Sequence, residues 1–231
     1  AQHGGALYAS GAAQLLLDGV TVADNEARTG GALAAESGAA VVAVGVSLVR
    51  NAARAVPLLL PITSPLAAVV PGSSLGHAGG IWLSGSTLDA SSLTLVNNTA
   101  FRGGGALLLA SSRATLAGLR AEGCDATELG GALYASQQSQ MLVSQPCALS
   151  RSTAQRGALA FVTLSSSLEL QGCSVHSAQS LGSGGCMAAT SQSSLVLGGV
   201  SMWGCESLEF GGAVRAEEST LRAENTSVWG S

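Results

Sequence analysis

The chain has 231 residues, of which 47% are hydrophobic but only 3% aromatic, and its formal net charge is −4. Its ten basic residues are all arginines, scattered from Arg28 to Arg222 without a cluster, which argues against a surface that tracks nucleic-acid phosphates. With no lysine at all, P-loop and Schiff-base chemistry are excluded.

Glycine pairs punctuate the chain at Gly4, Gly30, Gly79, Gly104, Gly130, Gly184 and Gly211, with Arg156-Gly157 as a near match. The successive spacings are 26, 49, 25, 26, 26, 28 and 27 residues. The heptad GGALYAS stands at 4–10 and again, unchanged, at 130–136. Self-similarity at such a period indicates a solenoid, in which one unit per repeat stacks on its neighbours.

Within each repeat the apolar positions alternate with period two, the signature of half-buried strands. After the glycine pair comes an apolar column of Leu7, Leu33, Trp82, Leu107, Leu133, Leu159, Met187 and Val214. A second segment places Leu15, Val41, Leu88, Ala114, Leu142, Leu168, Leu195 and Leu221 inward, and a third does so with Val22, Leu48, Leu95, Ala121, Leu149, Val175, Met202 and Val228. Three short strands per coil, parted by Gly, Ser and Asn turns, predict an all-β, right-handed parallel β-helix of about eight coils of ~26 residues.

The whole of 1–231 reads as a single β-helix segment, and its starting point beside a glycine pair and mid-coil stop suggest a piece of a longer protein. The second coil is nearly twice as long as the others, with its excess at 52–78 expected to form an insertion loop. Its stretch AVPLLLPITSPLAAVV is shorter than the roughly 20 apolar residues of a bilayer span and is broken by Pro57, Pro61 and Pro65, so no membrane span is expected.

Three coils carry Asn three residues after an inward apolar residue: Asn25, Asn51 and Asn98. Stacked Asn side chains at such turns can satisfy backbone groups of neighbouring rungs, which predicts a turn ladder rather than a ligand site. Cys124, Ser152, Ala178 and Cys205 follow in the same position. Cys147 and Cys173 share an inward column on consecutive coils, about one rung or ~4.8 Å apart, within disulfide range. They are either a disulfide or, like the other cysteines, reduced core fillers. Cys186 takes a small corner position. Two glycosylation sequons, at Asn97 and Asn225, fall at turns.

Catalytic constellations are missing from the sequence. The four aspartates Asp18, Asp24, Asp89 and Asp125 do not pair on adjacent rungs, and the three histidines are isolated. No HExxH, CxxC or nucleophile elbow occurs, so no catalytic, metal or cofactor site is expected.

The units GGALYAS, GGALAAE, GGALLLA and GGAVRAE, together with the apolar-x-x-Asn units ending at Asn25, Asn51 and Asn98, resemble the repeat of the chlamydial polymorphic outer-membrane proteins and the wider pectin-lyase-like β-helix group. The likeness runs over nearly the whole chain. It departs in the second motif, which has Val or Leu where the family has an aromatic residue and lapses after Asn98. What the resemblance implies is a surface or secreted β-helix used in adhesion or as a rigid spacer. The expected function is therefore that of a non-enzymatic extracellular or cell-surface structural or adhesion module, with a filament or surface layer as its setting. Its partners would be other protein chains, flanking coils or glycans, and not nucleic acid. The alternative is a carbohydrate-binding or polysaccharide-processing β-helix.

Overall fold

The computed structural model describes residues 1–54 and 76–230. Most of the insertion expected at 52–78 lies outside the described residues, but both its flanks keep the coil register. Ala52–Ala53 pairs with Glu26–Ala27 and Thr99–Ala100, and His77 bridges Thr29 and Gly103.

The described residues form an all-β parallel solenoid of about seven turns. A first sheet of eight strands runs from Leu7–Ser10 to Val214–Ala216, and a second, also of eight, from Gln14–Asp18 to Thr220–Glu224. The third sheet has nine strands, from Thr21–Ala23 to Ser227–Trp229 with Thr153–Arg156 joining off its main path. Each coil of the first half also has a fourth side, the two-residue strands Glu26–Ala27, Ala52–Ala53, Thr99–Ala100 and Asp125–Ala126. Four sides rather than three is thus the observed cross-section. Two residues are too few for a period-two pattern to show in sequence.

The inward columns build one core of Leu, Val and Ala. Leu33, Leu48, Leu83, Leu95, Leu107, Leu109 and Leu116 are all fully buried. Burying each such side chain contributes about 1.5–3 kcal/mol, and the absence of large aromatics fits the narrow cross-section. A ladder of serines lies at the corner before the second sheet. There the backbone nitrogens of Ser86, Ser112 and Ser139 each donate to the hydroxyl of the next rung's serine at 3.1 Å, and Ser166 and Ser193 continue the series. Each hydroxyl donates in turn to a carbonyl two or three residues back in its own coil. The corner's polar groups are therefore paired inside the protein.

The glycine pair divides two tasks. Its first member holds a left-handed φ, such as +60° at Gly30 and +58° at Gly130. Its second lies so close to the next rung that a Cβ on Gly131 would sit 2.3 Å from the Ala158 carbonyl oxygen. The equivalent positions depart from the visible pairs in two coils. Ala78, at φ +56°, takes the first place in the third coil, with Gly79 second; Gly157 takes it in the sixth.

These shifts correct three inward assignments. Ile81, not Trp82, continues the column of Leu33 and Leu107; Trp82 faces outward. Ala160, not Leu159, lies beside Leu133, and Leu159 fills the corner place of Ala132. Met141, not Leu142, aligns with Ala114 and Leu168, leaving Leu142 36% exposed. The fifth coil has one extra turn residue, so the step from the coil before is 27 in this strand, Ala114 to Met141, against 26 in the first sheet, Leu107 to Leu133; Leu142 would need 28. Gln137 and Gln138 both take left-handed φ where the preceding coil uses Ser111 alone.

Candidate functional site

The asparagine column is an interior hydrogen-bonded ladder. The side-chain oxygen of Asn51 accepts from the backbone nitrogen of Asn25 at 3.0 Å and from its amide at 3.1 Å, and Asn98 does the same for Asn51. The Asn51 and Asn98 amides donate to the carbonyls of Val22 and Leu48. Cys124 then takes the donor role toward the Leu95 carbonyl, and the Ser152 hydroxyl accepts from the Cys124 nitrogen at 3.2 Å. The side-chain oxygens and amides of the buried Asn51 and Asn98 are thus all engaged internally, so these two positions offer nothing to a ligand.

Cys147 and Cys173 lie opposite one another in the third sheet, with Cα atoms 4.6 Å apart and sulfurs at bonding distance. Cys186 and Cys205 form a second such pair, with Cα atoms 5.2 Å apart. Sequence reasoning missed this one because the two residues stand at different corners of one coil rather than in one column. The fourth side is so short that those corners face each other, as the contact of a Gly131 Cβ with the Thr153 and Cys124 carbonyls also shows. Cys124 remains a buried free thiol whose pKa is pushed up to about 11, chiefly by burial. Asn97 and Asn225, the sequon residues, are both exposed and both at left-handed φ.

A groove of about 570 Å³ lies on the outside of the first sheet, lined by residues from Gln2 to Leu164. Its floor is the outward column of Trp82, Leu108 and Tyr134 on three consecutive rungs. Leu108, although it faces away from the core, is only 2% exposed between its two aromatic neighbours. His3 stacks on Trp82 with ring centroids 5.8 Å apart, and its Nδ1 is 2.7 Å from the Thr29 hydroxyl. One wall presents Arg28, His77 and Arg102; the other presents Ser84, Ser136 and Gln137.

Electrostatics in the groove are set by burial. The His77 pKa falls to about 4, first because burial disfavours the imidazolium and second because Arg102 stands near, so His77 is neutral at neutral pH. Burial also raises the Tyr134 phenol above its ordinary value. The groove's positive charge is that of Arg28 and Arg102, the latter 3.5 Å from Glu128. Aromatic rings beside hydroxyls, an amide and guanidiniums suit a polar ligand with flat apolar faces. Among the described residues, no cluster of His, Cys, Asp and Glu could hold a metal ion.

The groove was not foreseen, and the misplacement of Trp82 is the reason. Read as a core residue, it left no aromatic pair flanking Leu108. Another aromatic group, His176, Trp203 and Trp229 on the third sheet, is stacked face to face at interplanar angles of 9° and 6°. Their faces are mostly turned on each other, so this column offers a ligand mainly ring edges. Among the described residues no helix is long and apolar enough to cross a membrane.

No known protein family, characterised protein or solved structure matches the chain. The parallel β-solenoid is thus the observed fold, and the likeness of its repeats to the chlamydial outer-membrane proteins gains no support from relatives.

Proposed function

We propose that this chain is a non-enzymatic structural or adhesion solenoid of the cell surface or the extracellular space, in which a stiff stack of rungs presents outward faces to other chains or to glycans. The carrying observation is the two cysteine pairs. Cys147 with Cys173 and Cys186 with Cys205 are placed to cross-link rungs and corners in a core of small side chains, an arrangement that suits an oxidising compartment. The exposed sequons at Asn97 and Asn225 are compatible with the same setting. The test is retention of protein-coated beads on surfaces bearing glycans or extracellular proteins, with product formation from polyuronate and neutral glycans assayed beside it. Retention without turnover is expected; sustained turnover contradicts the proposal.

A second reading, carbohydrate binding, is favoured by one observation. The groove floored by Trp82, Leu108 and Tyr134 combines ring surfaces with Ser84, Ser136 and Gln137 along one edge, the mixture of apolar face and hydrogen-bonding rim that sugars require. The two readings are compatible, since an adhesion module can bind through such a groove. Trp82→Ala is expected to abolish glycan retention in the bead assay while leaving the fold intact.

A further inference from the structure

Arg28, Gly76 and Arg102 occupy one column on three consecutive rungs. The Gly76 nitrogen donates to the Arg28 carbonyl at 2.9 Å, and the Arg102 nitrogen donates to the Gly76 carbonyl at 2.9 Å. The two arginine backbones are therefore two rungs apart, roughly 9.5 Å, and at their own column the rung between them has only Gly76, the next residue His77 lining the same wall. Among the described residues, the result is a notch in the groove wall flanked by two guanidiniums. Glu128, on the rung beyond, engages Arg102 from the far side at 3.5 Å. Arg28 makes no ion pair among the described residues, and its Nε is buried there without a hydrogen-bond partner. A guanidinium nitrogen removed from water with no acceptor is costly, and an entering oxyanion would relieve that cost.

We propose that the notch over Gly76 binds an oxyanion, a carboxylate or a sulfate, carried by a saccharide that lies in the groove against Trp82; this rests on the carbohydrate reading above. Planar guanidinium forks match the paired oxygens of either group. The subsite gives the groove a sign opposite to that of the chain as a whole, which carries −4.

Calorimetric titration of the full chain tests this with four probes: trigalacturonate, its fully methyl-esterified form, a sulfated disaccharide and sodium sulfate. Both acidic saccharides are expected to bind at least about tenfold more tightly than the ester. Arg28→Gln and Arg102→Gln should each remove most of that difference, Arg28→Lys should retain part of it, and Trp82→Ala should weaken acid and ester alike. Comparing trigalacturonate with the sulfated sugar distinguishes carboxylate from sulfate, and weak binding of sodium sulfate alone is expected because the sugar face is missing. Unchanged circular dichroism and melting temperature of the arginine variants serve as the folding control. Equal binding of acid and ester, or a preference that survives both arginine variants, overturns the subsite and leaves the carbohydrate reading standing. If no saccharide binds, the carbohydrate reading falls and the subsite with it.

Discussion

The side-chain oxygen of Asn98 lies 3.0 Å from the backbone nitrogen of Asn51 and 3.1 Å from its amide nitrogen, with both residues fully buried. One acceptor thus holds two donors of the neighbouring rung, while the Asn98 amide reaches the Leu48 carbonyl. Asn98→Ala leaves the Asn51 backbone N–H and one of its amide hydrogens without an acceptor, while that amide keeps its bond to the Val22 carbonyl, and takes one donor from the Leu48 carbonyl; a loss of about 2–3 kcal/mol is expected. Asn25→Ala, at the half-buried end of the ladder, should cost about 1 kcal/mol. Urea unfolding of the two variants measures both values. Equal and small losses would contradict the ladder's role.

The second member of a glycine pair should respond differently from an isolated turn glycine. At Gly131 a methyl group would meet the Ala158 oxygen at 2.3 Å and the Thr153 oxygen at 2.5 Å, both backbone atoms of packed rungs. Gly131→Ala is therefore expected to destabilise by about 3 kcal/mol or more. Gly19 also has a left-handed φ, +61°, but nothing lies within 4 Å of its added Cβ, so Gly19→Ala should cost only the backbone strain of about 1 kcal/mol. Thermal melts of the two variants side by side separate close approach from torsion.

Acid should weaken the fold through His77. Its folded pKa, about 4, lies below the ordinary value of 6.5, so between those pH values the unfolded chain binds more protons than the folded one. Stability contributed by the neutral imidazole is complete above pH 6.5 and is lost as the pH falls toward 4, by up to about 3 kcal/mol. His176 shifts in the same direction, again mainly through burial, whereas Asp24, lowered chiefly by its hydrogen bond with Arg50, titrates at still lower pH. The difference between wild type and His77→Gln isolates the group: the variant's unfolding free energy should change less between pH 7 and pH 4.

The parallel stack was legible in the sequence because every coil solves one packing problem, so Leu48, Leu95 and Leu149 recur at matching places. Three kinds of feature were not. The extra residue at Gln137 and Gln138 lies in a turn, where no apolar period marks it, and the step from this coil to the next is 27 rather than 26, so a fixed step back from Leu168 falls on Leu142 instead of Met141. The pairing of Cys186 with Cys205 depends on the width of a coil, which a repeat period does not report. The groove is assembled from outward residues of several coils. Of Trp82, Tyr134, Arg28 and Arg102, only Tyr134 falls in a repeated unit, GGALYAS; the other three lie outside the GGA units, and three-dimensional stacking places them on one wall and floor.

The register and the oxidised setting on which the proposed function rests meet in the cysteines. Peptide mapping by mass spectrometry, on protein isolated without reductant and alkylated only after unfolding, tests them together. The expected result is Cys147 joined to Cys173, Cys186 joined to Cys205, and a single alkylated thiol at Cys124, which its burial and raised pKa protect in the native protein. Cys147 joined to Cys124, Cys186 or Cys205 would contradict the order of the rungs, and five free thiols would contradict the oxidising compartment.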